Sequence, residues 1–595
     1  MRRSKAVSAF AAVAAAALVL SACSGGGNGG DNNGSSADVK SMATGKAQNG
    51  DTFKLADAPK SDVVTVGVDE GYSAYNNDTP DTNSSYNNYV DNIVLAGAYV
   101  LDGNNKVLLN ADMFESWTVT SKDPQVVQWK IKPNMTWSDG KPYDCKDLYL
   151  AWLSHSEKAK DGDTPFFKAA APAGYNLVDQ GECKDNLTFE AKFSKPYLDY
   201  KGMFAPTHVM PAHIIEQKTG IADITALKPN GDKGQLKKAG DFWNNEWKGF
   251  KPDIMPASGP YKITAFDENS KSVTLERNQS FAGAKGGPQK IVVRPFPDTP
   301  AMATALQNGE IDVVASTQPD TTAADTLRKL ASDGVTYGSA SQLTFEHLDL
   351  QYKRMFSDPV LRKAFFQAVN RNEIVEKLLR GVQADAQPLS SIVFYPGEQG
   401  YEDRYSKISG QGAEAAAKTL SDAGWVKGPD GIFAKDGKRF SATITHNANP
   451  RRTKTVEIIV AQAKAAGIEI KDEVDPNFLK GRLDTGNWDI ALFGWSSTPF
   501  KAEQPSIYVT GGGQNYQGLS DPKIDQAFQT AVSATDEAVA TKAYQDADQA
   551  LADQNATLPL FQTPSMWAFR GIDRVYMQSY NGALWNAGEW EKKGK

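Results

Sequence analysis

The stretch QVVQWKIKPNMTWSDGKPYDCKDLYLAWL (residues 125–153) carries three backbone signals in a row. Trp129 and Ile131 stand two apart among β-branched neighbours, which predicts a strand with both on one face. Gly140 marks a turn. Asp144 then sits where a helix N-cap belongs, and Leu148 and Trp152, four apart, fall one above the other on a single helical face. Strand, turn and helix in this order predict a layer in which a helix packs on a sheet.

The same alternation continues on both sides. DVVTVGVDE (62–70) reads as a buried strand, and the polar, aromatic GYSAYNNDTPDTNSSYNNY (71–89) as a loop with neither a helical nor an alternating period. AMATALQNGEIDVVA (301–315) reads as an amphipathic helix, a Gly stop and a strand; DPVLRKAFFQAVNRNEIVEKLLRG (358–381) reads as a pair of helical turns with a Gly end. TVEIIVAQAKAAGIEIKDEV (455–474) is helix then strand, and WDIALFGWSSTPF (488–500) strand then loop. Helices interleaved with short apolar strands indicate α/β layers rather than a sandwich or a bundle. No repeat of solenoid length is seen.

At the N-terminus, Arg2, Arg3 and Lys5 precede the apolar run AFAAVAAAALVL, which is too short to span a bilayer and fits a signal peptide over residues 1–22. Leu20-Ser21-Ala22-Cys23 matches the bacterial lipobox, so Cys23 is expected to be acylated after cleavage. Residues 23–60 are rich in Gly, Asn, Ser and Asp and read as a flexible tether. Random-coil scaling gives such a tether a span of roughly 30–35 Å.

The chain has 595 residues, with 64 Lys+Arg against 71 Asp+Glu, a net charge of −7. Loss of residues 1–22 removes three basic residues and no acid, leaving a net charge of −10. That balance disfavours nucleic acid, whose phosphates would be repelled. Length and a 40% hydrophobic content allow a large core in about two to four domains. Cys145 and Cys183 are the two cysteines beyond Cys23, and an even pair in an exported protein is expected to form a disulfide.

Enzyme motifs are missing. SDGKPY lacks the earlier Gly and the Ser/Thr of a P-loop, and neither a G-x-S-x-G elbow nor an H-E-x-x-H helix occurs. His208 and His213 are five apart with Pro211 between them, outside the i, i+4 register of helical zinc ligands, and read as a turn and a helix start. No metal and no cofactor are expected. What stands out is aromatic residues in polar, loop-like sequence: Tyr72, Tyr75, Tyr86, Trp495, Phe500 and Tyr516. Such residues beside amides and hydroxyls suit a cleft for a polar small molecule or peptide.

In their order along the chain, these segments resemble the family 5 extracellular solute-binding proteins of ABC importers, the class of oligopeptide and dipeptide binders. The resemblance runs from about 62 to about 590 through WKIKPNMTWSDGKPYDCKDLYLAW, ASGPYKI (257–263), ALQNGEIDV, FSDPVLRKAFFQAVNRNEIVEKLLRG, WDIALFGW, LSDPKIDQAF, LPLF (558–561) and the segment around Trp585. It implies an α/β, two-lobed periplasmic-binding-protein-like fold closing by a hinge. Lobe one would comprise 61–315, with an inserted subdomain at about 100–200, and a return at 555–595; lobe two would be 316–554.

By the same resemblance, ligand contacts are expected from Glu70, Tyr72, Tyr75 and Asn76 in the loop after the first strand, and from Asn447, Arg451 and Arg452 before the long helix. Trp495, Ser496, Ser497, Thr498 and Phe500 after the Gly-Trp strand, and Phe561, complete the set. Peptide binders of this family commonly place an Asp just after Gly-Trp to meet the peptide α-amine; here Gly494-Trp495-Ser496-Ser497-Thr498 has no acid until Glu503. The implied role is a monomeric, non-enzymatic, lipid-anchored receptor on the extracytoplasmic face of the cell membrane that passes a peptide or peptide-like solute to an ABC permease. The alternatives are a non-peptide solute (a metal chelate, a glycan or a small amine metabolite) and a ligand sensor.

Overall fold

The computed structural model describes residues 51–592 apart from residues 104, 318, 497 and 579. The signal peptide, Cys23, the tether as far as residue 50, and Ser497 lie outside the described residues. Among the described residues, no helix is long and apolar enough to cross a membrane.

A ten-stranded mixed sheet organises the chain. From one edge its strands run Tyr261–Asp267, Ser272–Arg277, Gly287–Pro295, Lys60–Val68, Val313–Ser316, Thr557–Arg570, Val335–Leu350, Ile490–Ser496, Ser441–His446 and Glu469–Val474. Lys60–Val68 lies parallel to both neighbours, Gly287–Pro295 and Val313–Ser316. Its Val64, Val66 and Val68, alternate residues on one face, are buried.

The helices begin where the side chains dictate. Asp144 caps Cys145–His155 in a reciprocal capping box with Asp147. Asp298 caps Thr299–Asn308, which stops at Gly309 in the left-handed region, φ 76°. The 358–381 segment forms two helices, Pro359–Ala368 capped by Asp358 and Arg371–Leu378 capped by Asn370. One expectation changes: residues 85–89 are not loop but the first turns of helix Ser85–Val94, capped by Ser84. Its buried stripe of Tyr89, Val90, Ile93 and Val94 lies mostly past the polar window that concealed it.

A second sheet of four antiparallel strands, Phe114–Lys122, Gln125–Ile131, Thr188–Phe193 and Val178–Asp185, packs on helix Cys145–His155. Trp129 and Ile131 point into that core as predicted. The expected disulfide joins Cys145 at the helix start to Cys183 on the last of these strands, with Cα atoms 5.8 Å apart.

The long strands Val335–Leu350 and Thr557–Arg570 pair along most of their length and carry the sheet from one core to another. Their register breaks between Ser341 opposite Pro564 and Phe345 opposite Gln562. On one side of the break, Val335 and Tyr337 share a core with Met302, Leu306 and Leu327. On the other, Leu348 and Leu350 share one with Phe365, Ile444 and Leu558. A bulge there concentrates bending where the ladder is locally unpaired.

Asp548 supplies a test of how the second core is wired. Its carboxylate is fully buried and accepts from Ser391 Oγ (2.8 Å), Ile392 N (3.0 Å) and Arg404 Nε (3.0 Å). Burial pushes its pKa up to about 6, against the pull of those donors. Between about pH 4 and 6 the folded state therefore holds a proton that the unfolded chain has released, so this stabilisation is full at low pH and is lost as pH rises through 6. Comparing urea unfolding of wild type and Asp548→Asn at pH 4 and pH 7, we expect the balance to move toward the variant by about 3 kcal/mol. Parallel pH profiles would refute this.

Candidate functional site

The loop after the first strand does not present its aromatic residues to solvent. Tyr72 is 1% exposed and packs edge-on against Phe266, 5.6 Å between centroids. Tyr75 is buried with its hydroxyl donating to the Pro256 carbonyl, and Asn76 Nδ2 donates to the Trp243 carbonyl at 2.8 Å. These three, expected at a ligand, are all buried; Tyr75 and Asn76 are bonded to the protein's own carbonyls, whereas the Tyr72 hydroxyl has no hydrogen-bond partner among the described residues. Glu70, beside them, is exposed.

The second expected group divides across the sheet. Glu346 lies opposite both Gly494 and Phe561, whereas Phe345 lies opposite Trp495. Side chains alternate along a strand, so Glu346 and Phe561 share one face while Trp495 takes the other. On the first face Arg452 is committed: its Nε reaches Glu346 Oε2 at 2.9 Å, its Nη2 reaches Oε1 at 3.1 Å, and its Nη1 meets the Asn447 side chain. Arg451 is held less tightly, with Nη2 3.6 Å from Glu346 and its guanidinium 6.0 Å from the Phe561 ring centroid. Its buried Nε has no hydrogen-bond partner among the described residues. Burial lowers the Arg451 pKa, partly opposed by Glu346. On the other face Trp495 stacks between Tyr516 (6.1 Å) and His347 (6.2 Å).

Beyond Ser496, whose hydroxyl lies 3.3 Å from Thr344 Oγ1, the chain crosses to the other half of the molecule. Thr498 Oγ1 lies 3.2 Å from the Phe500 amide and shapes the turn. Phe500 docks edge-on against Tyr99 (5.7 Å) and Tyr580 (6.5 Å) and lies over Gly202. The amides of Lys501 and Ala502 both donate to Asp199 Oδ2 at 2.8 Å, and Lys501 Nζ pairs with Glu398 at 2.7 Å. Burial raises the Asp199 pKa, while these two amides pull it back. The loop thus works as a latch across the seam.

Cavities flank the latch. One of about 660 Å³ lies between Asp102, Trp117, Lys201 and Gln399. Another, of about 230 Å³, is lined by Asn88, Asn92, Asp78, His208, Thr498 and Tyr580, and reaches both halves of the molecule. Asp78, Gly202 and Tyr580 carry no signal in the sequence, and His208 reads there only as part of a turn. Each is an ordinary loop residue until the fold brings it to this seam. His208 does not pair with His213, which instead bonds Asp139 at 2.9 Å. His208 lies with Asp78 and His155, and burial lowers its pKa to about 4.

Comparison with known proteins gives these observations a frame. The oligopeptide-binding protein OppA of Mycobacterium tuberculosis is 26% identical over 489 residues, covering 80% of this chain and 76% of OppA. A Mycobacterium leprae protein named only as a lipoprotein is 25% identical over 499 residues, covering 80% and 83%. The solved structure of the periplasmic EDTA-binding protein EppA shares the fold, with a TM-score of 0.78 at 24% identity over 92% of this chain and 99% of that one. The expected two-lobed α/β architecture is therefore the observed one. The family profile described as bacterial extracellular solute-binding proteins, family 5 Middle, matches residues 109–517, and the chain belongs to that family.

Proposed function

We propose that this solute-binding protein captures an oligopeptide or peptide-like solute between its lobes and delivers it to an ABC permease, with no covalent chemistry of its own. The observation that carries this reading is the seam. A latch from one lobe closes onto the other beside a cavity whose walls include the amides of Asn88 and Asn92 and the hydroxyls of Thr207 and Thr498. Uncharged donors and acceptors of this kind match a peptide backbone, and Glu503, which lines the same cavity, suits a peptide α-amine. Relatives named for oligopeptide binding point the same way.

In this reading Cys23 carries the lipid anchor, residues 23–60 form the tether, and the lobes work as a monomer on the extracytoplasmic face. Lobe one comprises the segment from 61 with its insert at about 100–200 and the C-terminal return, and lobe two the segment between. We place the crossovers at 342–344 and 563, where the register breaks, rather than at 315 and 555. Ala323, Ala324 and Leu327 share a core with Met302 and Leu306, so they move with lobe one.

A second reading, a metal chelate, is favoured by one feature: no acid stands directly after Gly494-Trp495, the place where the family's peptide binders commonly hold one for the α-amine. A likeness to an EDTA-binding protein keeps it in view. Native mass spectrometry of the purified protein mixed with an oligopeptide library and with a panel of metal chelates separates the two. Retained peptides support the first reading, and retention of chelates alone overturns it.

Closure has its own test. A Cβ on Gly202 would lie 2.4 Å from the Phe500 ring, so Gly202→Val is a wedge under the latch. Overpacking of this kind costs about 1–3 kcal/mol, and affinity for the captured solute is expected to fall about 5- to 150-fold. Calorimetry showing wild-type affinity would remove the latch from the account.

A further inference from the structure

Asp78, His155 and His208 come from three separate segments: the loop before helix Ser85–Val94, the last residue of helix Cys145–His155, and the turn Pro206–His208. One ligand-type atom from each lies within 4.8 Å of the other two. His155 Nε2 is 3.3 Å and His208 Nε2 3.8 Å from the same oxygen, Asp78 Oδ2. Around a tetrahedral zinc-class ion, with metal–ligand distances of about 2.0–2.2 Å, neighbouring ligand atoms stand about 3.3–3.6 Å apart. The His155–Asp78 separation fits that geometry as it stands, and His208 must approach both partners to complete it.

His155 Nδ1 lies 2.9 Å from both the Ser154 hydroxyl and the Ala151 carbonyl; because the carbonyl can only accept, it favours a hydrogen on Nδ1, which leaves the lone pair of Nε2 toward Asp78. His155 is 1% exposed, and neither its Nε2 nor Asp78 Oδ2 has a hydrogen-bond partner among the described residues. With the lone pair of Nε2 turned to Asp78, two buried acceptors face one another, an arrangement that is costly unless a proton or a metal ion lies between them. Thr207 Oγ1, 3.5 Å from Asp78 Oδ1, and the Tyr175 hydroxyl, 3.3 Å from His208 Nδ1, approach the far sides of these groups as outer supports do in metal sites. Asp78 and His208 also line the 230 Å³ cavity at the lobe seam.

We propose that Asp78, His155 and His208 bind one divalent zinc-class ion, with its remaining coordination position open to the interlobe cavity. The mixed imidazole and carboxylate set suits zinc or cobalt better than calcium or magnesium, which take oxygen ligands. The site stands whichever solute the lobes capture, and its test needs none.

Tag-free protein, stripped with a chelator and dialysed, is titrated with Co²⁺ and followed by its visible absorption, then with Zn²⁺ in a calorimeter. We expect one equivalent to bind, with the intense absorption of four-coordinate cobalt. Affinity should fall by about 10-fold or more in His208→Gln and in Asp78→Asn, and should be unchanged in His213→Gln. Circular dichroism melts establish that each variant is folded. His208, 13% exposed at its side chain, is the ligand least tied to the core. Absence of saturable binding, or equal affinity in wild type, His208→Gln and Asp78→Asn, would overturn the proposal.

Discussion

Glu346→Gln is expected to destabilise the protein by about 3–5 kcal/mol, the cost of breaking a buried ion pair by removing one partner. Glu346 is 2% exposed and lies beside the register break between the long strands. It faces two guanidinium groups, Arg452 in a two-point contact and Arg451 at 3.6 Å. An amide keeps the shape but cannot offset two neighbouring positive charges held out of water. The measurement is a urea titration followed by tryptophan fluorescence and circular dichroism together. Glu346→Leu combined with Arg452→Met should recover much of the loss, because a matched apolar pair carries no desolvation cost. A Glu346→Gln midpoint equal to wild type would show that the pair does not hold this end of the helix Pro450–Ala465.

Replacing Cys145 and Cys183 with Ala is expected to cost about 4 kcal/mol, from the chain entropy released when a loop closed across 38 residues opens. The affected region is where the bond ties helix Cys145–His155 to strand Val178–Asp185. Dithiothreitol should lower the wild-type urea midpoint to that of the variant and leave the variant unmoved. A wild-type midpoint insensitive to full reduction would contradict the assignment.

Much of the fold was legible because its signals are local. The valines of Lys60–Val68, the Asp cap at 144 and the Gly stop at 309 each act within a turn or two of backbone, so sequence windows register them. Helix Ser85–Val94 was not legible, since its apolar stripe straddles the end of a polar stretch. The site was legible in part. Two adjacent arginines look alike in sequence; only the sheet places Glu346 beneath Arg452 and leaves an Arg451 nitrogen unpartnered. Trp495 and Phe561 belong to one strand ladder yet point to opposite faces, a consequence of register alone. Tyr72 and Tyr75 resemble cleft aromatics because burial is not a local property. Asp78, His155 and His208 carry no spacing signal, since tertiary structure brings them together from separate segments.

We propose that solute is captured by closure of two lobes latched through residues 498–502. Small-angle X-ray scattering tests it most directly, comparing stripped wild type, wild type saturated with the solute retained in native mass spectrometry, and Gly202→Val under the same saturating conditions. The account predicts that the radius of gyration contracts when wild type binds and that the variant stays expanded. Equal radii for stripped and saturated wild type, or full contraction of Gly202→Val, would contradict it.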